Sequence, residues 1–346
     1  MPPIDTKIVL LAISATLNAA FILKLGFNFF FVRIGDSNET NLDITGGDKM
    51  YGLLNFKILK DTTAAKGVKK KLERNRKIIE DLGIGKISRW FNKHSNVLDP
   101  DGKINSGFPG LDELLGNDLD SSQLITLLGP ASSGKTTLLL DVTRQNAIRN
   151  KRPVMYFSMG TKSSTLIDRL ISAEAFVDAI KIKRNDINEE DELARVRESL
   201  NALSNAPIFI DDLLHLSSEM AVQRIRDFYK IAGKCVVLID GLDLMGGSKT
   251  ITSNLQGLRK LSIELNLPII VSITSSGKLS FRHRVHVEDI PDAIGRISDI
   301  VLMIQEGEDE LPIRQVSVLK NREGRCGYVE LYHDTKRVSF QSIERA

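Results

Sequence analysis

The segment Gly129-Pro-Ala-Ser-Ser-Gly134-Lys135-Thr136 constrains this chain more than any other stretch. It follows an apolar run, Leu124–Leu128, and opens a helical stretch, Thr136–Ile148. The spacing satisfies G-x-x-x-x-G-K-[ST], and strand before, helix after is the setting in which that pattern wraps phosphate. Glycines let backbone N–H groups curl around an anion, and the helix N-terminus adds partial positive charge. The expected contact set is Gly129, Pro130, Ala131, Ser132, Ser133, Gly134, Lys135, Thr136 and Thr137. Lys135 is placed to reach the β- and γ-phosphates of ATP, and the Thr136 hydroxyl to meet Mg²⁺. The alternative, a chance match in a Ser/Gly-rich loop, does not account for the flanking strand and helix.

A second signal supports the first. Val236-Val-Leu-Ile-Asp240 is an apolar run ending in an acid. An aspartate at a strand end is common on its own. Beside a phosphate loop, Asp240 is expected to hold the magnesium ion together with Thr136.

From about Lys103 onward, short apolar runs alternate with helical stretches. Strands are predicted at Leu124–Leu128, Val154–Ser158, Ile208–Ile210, Val236–Ile239, Ile269–Ile273, Ile300–Ile304 and Val316–Leu319. Continuous β-branched runs of this kind suit strands covered on both faces, so the expected fold class is α/β with a mostly parallel central sheet. Helices are expected at Thr136–Ile148 and Asp191–Leu203. The 346 residues carry 47 Lys+Arg against 44 Asp+Glu, a net charge of +3, so any case for nucleic acid must come from local patches. Two cysteines and five scattered histidines exclude a disulfide-stapled scaffold and a cysteine-based zinc site.

The N-terminal part is different in character. Ile8–Val32 is largely apolar, with Lys24, Asn18 and Asn28 opposing membrane insertion. As a helix it would be about 37 Å long, enough for a roughly 30 Å hydrocarbon core. A single membrane anchor is the favoured reading of residues 1–34. A cleaved targeting segment and a buried or interfacial helix are the other two. The anchor implies membrane attachment, with the nucleotide-binding part in the cytoplasm or an organelle matrix. A cleaved segment implies a soluble protein. Residues 35–102 read as a polar linker and a helix at Thr63–Leu82, rich in Lys and Arg on one face. That face suits solvent, anionic lipid or nucleic acid.

Residues 103–340 resemble the RecA-type ATPase domain of replicative DNA helicases of the DnaB type. The resemblance rests on Ile104-Asn-Ser-Gly-Phe-Pro-Gly-Leu-Asp112, Pro153–Ser158, Ile208-Phe-Ile-Asp-Asp212, Leu238-Ile-Asp-Gly-Leu-Asp-Leu-Met245, Ser298–Ile304 and Lys320-Asn-Arg322 with Gly324. The last is also similar to the K-N-R-x-G of RadA-type recombination ATPases. The resemblance implies a RecA-like P-loop fold at 103–346, ATP with Mg²⁺, single-stranded DNA and a homo-oligomeric ring, most simply a hexamer. It further implies that Lys320 and Arg322 reach across a subunit interface to the neighbour's γ-phosphate. A basic turn paired with local acids such as Glu323 is the plainer reading of those two residues.

The chain departs from the family pattern at three positions. Gly160 stands where the family places the glutamate that positions the attacking water. Thr274 stands at the sensor glutamine, and Asp243 replaces a glutamine after Asp240. Glu174 or Asp243 could substitute for the missing acid, and the sequence positions neither. Two loops are expected to face DNA, Gly246–Ser253 and Gly277–His286. The second carries Lys278, Arg282, His283 and Arg284, with Phe281 for stacking. Two functions therefore stand: an ATP-dependent helicase-type motor on DNA, or a membrane-tethered ATP-binding assembly or DNA-tethering protein with weak or no hydrolysis.

Overall fold

A computed structural model describes residues 103–116, 119, 122–213, 216–247, 250–275, 285, 287–306 and 312–343. The apolar stretch Ile8–Val32 and the basic helix expected at Thr63–Leu82 lie outside the described residues. Among the described residues no helix is long and apolar enough to cross a membrane.

The described chain forms a nine-stranded sheet. Elements are numbered here in chain order: α1 Pro109–Leu115, β1 Leu124–Gly129, α2 Lys135–Arg144, β2 Val154–Ser158, α3 Ser163–Ala175, α4 Ala179–Arg184, α5 Glu190–Asn205, β3 Ile208–Asp211, α6 Ser218–Ala232, β4 Val236–Asp240, α7 Ile251–Leu265, β5 Ile269–Thr274, α8 Asp292–Ile297, β6 Ile300–Glu306, β7 Ile313–Asn321, β8 Gly327–Asp334 and β9 Ser339–Ser342. The spatial order is β3-β2-β4-β5-β1-β6-β7-β8-β9. The first six positions pair in parallel and the last three antiparallel. This is the α/β, mostly parallel arrangement that the β-branched runs predict.

Alternation along the buried strands divides the core into two layers. Ile125, Leu127, Tyr156, Ile208, Ile210 and Leu238 face one side, where they meet residues of α2, α3 and α5 such as Leu139, Leu166 and Val196. Leu124, Leu128, Phe157, Phe209, Val237 and Ile239 face the other, against Ile225 and Phe228 of α6 and Leu255 and Leu258 of α7. Each fully buried aliphatic side chain of β4 contributes on the order of 1.5–3 kcal/mol relative to exposure. Two covered faces explain why these strands read as unbroken apolar runs rather than as alternating ones.

The structure corrects several boundaries. The helix expected at Thr136–Ile148 gives way after Arg144 to a π-turn, Gln145–Arg149. There Asn146 donates its side-chain amide both to Val142 O and to Asn105 O, each at 2.8 Å, clamping the lead-in segment onto the helix. The strand expected at Val316–Leu319 runs from Ile313 to Asn321, because pairing with β6 and β8 holds partly exposed, mostly polar residues at both ends. Strands β8 and β9 were not expected at all. Of the loop expected to face DNA at Gly246–Ser253, Ile251–Ser253 is the first turn of α7, capped by the Thr250 hydroxyl accepting from Ser253 N.

Candidate nucleotide site

The phosphate loop turns from the end of β1 into α2, with β1 held between β5 and β6. Ser132 (φ 62°) and Gly134 (φ 104°) adopt left-handed backbone, the concave form that turns N–H groups toward an anion. Glycine is required at both ends for space as well. A Cβ on Gly129 would lie 2.6 Å from Ser133 Oγ and 2.9 Å from Ile304 O, and one on Gly134 would lie 2.7 Å from Phe340 Cζ. Ala131 and Ser132 are exposed at the rim, whereas Pro130, Ser133 and Thr137 are buried. The Ser133 hydroxyl has no hydrogen-bond partner.

Lys135 folds back over this loop, donating to Gly129 O at 2.8 Å and Pro130 O at 2.7 Å. Burial lowers its pKa, and the carboxylates of Asp243 and then Asp240 act against that. The ammonium therefore sits in a low-dielectric position where an added polyanion would strengthen its charge.

Asp240 ends β4 and is held from three sides. Thr136 Oγ1 donates to Oδ2 at 2.8 Å, Tyr156 OH donates to Oδ2 at 3.1 Å, and Ser272 Oγ donates to Oδ1 at 2.7 Å. Ser272 Oγ in turn accepts Gly241 N–H at 2.8 Å. Burial, and then the Asp240 charge, push the Tyr156 phenol well above its ordinary range, so it remains a donor. A hydroxyl and a carboxylate oxygen are the hard donors that Mg²⁺ prefers. Among the described residues no group of three or more His, Cys, Asp or Glu could hold a metal by itself. The donor set thus fits an ion that takes its remaining ligands from water and phosphate. Thr136 and Asp240 would hold it, and it would supply charge neutralisation at the β- and γ-oxygens.

A family model for the DnaB-like helicase C-terminal domain matches residues 103–342. The chain belongs to that family. A probable replicative DNA helicase of Trieres chinensis is 27% identical over 259 residues, covering 68% of this chain and 56% of that protein. The replicative helicase DnaB of Leifsonia xyli is 32% identical over 174 residues, covering 48% and 38% respectively. The chain therefore spans about half or less of the length of these curated relatives. A solved DnaB-like replicative helicase, described with its interactions with primase, superposes with a TM-score of 0.64 at 23% identity over 81% of this chain and 72% of that one, a likeness of fold.

Within this DnaB-like domain, Lys135, Thr136 and Asp240 are brought together, and Lys320 and Arg322 lie elsewhere. Strand β7 runs antiparallel to β6, placing Asn321 opposite Ile300, and Ile300 pairs Ile125 near the start of β1. The two cations thus sit at the end of the strands opposite the phosphate loop, about 13 Å along β1. Both are engaged locally. Lys320 Nζ donates to Gly295 O at 2.6 Å and Ser298 O at 2.5 Å. Arg322 pairs with Asp299 at 3.2 Å, a carboxylate also bound by Arg259 Nε at 2.9 Å and by Leu124 N–H at 2.9 Å. The acid paired with Arg322 is Asp299 rather than Glu323, whose carboxylate accepts from Gln123. Gly324 serves by close approach: a Cβ there would lie 2.8 Å from Leu114 O. Lys278, Arg282, His283 and Arg284 lie outside the described residues.

Sequence reasoning missed Tyr156 and Ser272. Their signal was a polar group inside an otherwise apolar, doubly covered strand, which must find a buried partner.

Proposed function

We propose that the chain is the ATP-hydrolysing motor part of a replicative-helicase-type protein, working as a homo-oligomeric ring, most simply a hexamer, on single-stranded DNA. The observation that carries this reading is the Thr136–Asp240 contact at 2.8 Å beside the buried Lys135, with Lys320 and Arg322 at the opposite end of the strands. Residues at that end of the strands lie too far from their own phosphate loop to serve it, which supports a role toward a neighbour's. Membership of the DnaB-like family supports ATP, Mg²⁺ and DNA as ligands.

In this reading the loop N–H groups and Lys135 bind the triphosphate tail, and Thr136 and Asp240 orient the magnesium ion. Arg322 of one subunit neutralises charge that develops on the γ-phosphate in the next. Lys278, Arg282, His283 and Arg284 track the DNA backbone.

The test is Mg·ATP turnover by the full chain, with and without single-stranded DNA. Turnover that rises with DNA and is lost in Lys135→Ala supports the motor. A second reading has one observation in its favour, the absence of an acid at Gly160: an ATP-binding assembly that hydrolyses weakly. Binding of Mg·ATP without turnover would select it.

A further inference from the structure

Hydrolysis needs a group that orients and deprotonates the attacking water, and position 160 is glycine. A side chain there would begin in close contact with the tip of Leu244. A Cβ on Gly160 would lie 3.1 Å from Leu244 Cδ1, and one on Gly241 would lie 3.3 Å from the same atom. Leu244 belongs to a 3-10 turn, Leu242–Leu244, that leaves Asp240 through left-handed Gly241 (φ 91°).

The same turn carries Asp243. Its Oδ1 accepts the Thr274 N–H at 3.2 Å, which fixes the carboxylate on the C-terminal end of β5. Thr274 is the register partner of Gly129, the first glycine of the phosphate loop. Ser275 N–H donates to Gly129 O at 3.0 Å, and Lys135 Nζ donates to that same oxygen at 2.8 Å. Asp243 is therefore fastened one strand away from the loop, on the Lys135 side. It is only half-buried, so water reaches it. Consistent with this placement, its charge acts on Lys135 more strongly than that of Asp240.

Glu174 is excluded by its surroundings. Its carboxylate is bound by Arg144 at 2.9 Å and Arg149 at 2.7 Å. Arg144 lies at the far end of α2, about 13 Å along the helix from Lys135.

We propose that Asp243 is the carboxylate that orients and deprotonates the attacking water, in place of the acid missing at Gly160. The inference rests on the ATPase reading above and adds the group that makes hydrolysis work. The water oxygen forms a bond to the γ-phosphorus as the bond from that phosphorus to the β–γ bridging oxygen breaks. ADP leaves with the electron pair of the broken bond. The water proton passes to the Asp243 carboxylate and from there to solvent, which regenerates the base. One water and one ATP give ADP, phosphate and a proton, with no further reactant.

The experiment compares the full chain with Asp243→Asn, Asp243→Glu and Glu174→Gln. Nucleotide affinity is read by equilibrium binding of a fluorescent ATP analogue with Mg²⁺, and turnover by phosphate release. Asp243→Asn keeps an oxygen for the Thr274 N–H and loses the base. Its kcat should fall about 100-fold or more while affinity is retained. Asp243→Glu, which keeps a carboxylate, should recover part of that loss and guards against a variant that merely misfolds. Glu174→Gln should hydrolyse like the parent. Parental turnover in Asp243→Asn overturns the proposal and leaves the nucleotide site standing. So does a parent that binds Mg·ATP and never hydrolyses it. A parent that binds no nucleotide overturns the ATPase reading and this inference together.

Discussion

The Thr136 hydroxyl meets the Asp240 carboxylate at 2.8 Å although 104 residues separate them in sequence. The contact joins the first turn of α2 to the end of β4, and it exists because β5 alone lies between β1 and β4 in the sheet. Tyr156 from β2 and Ser272 from β5 complete the hold on the same carboxylate. The surroundings of Asp240 are thus set by three strands and one helix.

Removing one of these donors should loosen the carboxylate. Tyr156→Phe keeps the buried ring and deletes the hydroxyl that reaches Asp240 Oδ2. A hydrogen bond to a charged group contributes roughly 1.5–3 kcal/mol. Denaturant unfolding of the variant should show a loss of about that size, and its turnover should need more Mg²⁺. Unchanged stability and an unchanged Mg²⁺ requirement would contradict the assignment.

Gly134→Ala should disrupt the phosphate loop twice over. The backbone is left-handed at φ 104°, and the new Cβ would meet Phe340 Cζ at 2.7 Å. Left-handed backbone at a non-glycine residue costs about 1–3 kcal/mol before the clash is counted. Affinity for Mg·ATP should fall at least about tenfold, since 1.4 kcal/mol is a factor of ten. Adding Phe340→Leu should relieve the clash and leave the backbone cost, giving partial recovery. Binding equal to the parent's in Gly134→Ala would count against the loop geometry.

A pH signature comes from the hairpin behind that loop. His333 stacks on Phe340 with ring centroids 4.5 Å apart. Burial, and then the Arg314 charge, lower its pKa from 6.5 to about 4. The folded state therefore prefers the neutral ring. Its contribution is complete above pH 6.5 and is lost as pH falls toward 4. Asp141 works in the opposite sense. Burial pushes its carboxyl from 3.8 up to about 6, so its contribution is complete below 3.8 and is lost as pH rises through 6. The two overlap, so the diagnostic quantity is the difference between the parent and His333→Phe. Melting temperatures measured from pH 7 to pH 4 should diverge as pH drops, with the parent losing more. Parallel curves would show that His333 does not titrate against folding.

Arg322 separates a local role from one across an interface. Asp299 keeps Arg259 and the Leu124 N–H when Arg322 is removed. Arg322→Ala should therefore cost no more than about 1 kcal/mol of stability, as for a partly exposed ion pair. If the guanidinium serves a neighbour's γ-phosphate, turnover should fall by about 1000-fold with binding retained. A stability loss with parental turnover would make Arg322 a strut of its own loop.

The legibility of this fold tracked how local each determinant is. Gly129–Thr136 and Val236–Asp240 are contiguous motifs, and both could be placed on elements from the sequence. The core strands were legible because burial on two faces leaves uninterrupted apolar runs. Strands β8 and β9 were not, because one carries half-exposed residues such as Tyr328 and Tyr332, and the other is four residues long and fixed by Phe340 N–H donating to Asp141 Oδ2 at 2.7 Å, 199 residues away. The choice between Glu174 and Asp243 was equally hidden. It depends on which strand-end N–H donates to one carboxylate and which arginines surround the other, and neither is a matter of spacing.

The central claim is that the loop around Lys135 grips a triphosphate tail with magnesium. Equilibrium titration of the full chain with Mg·ATP tests it most directly, with Lys135→Ala in parallel. A charged hydrogen bond contributes about 1.5–3 kcal/mol, so the account predicts saturable binding by the parent and affinity weakened at least about tenfold in the variant. No saturable binding by the parent, or equal binding by both proteins, would contradict it.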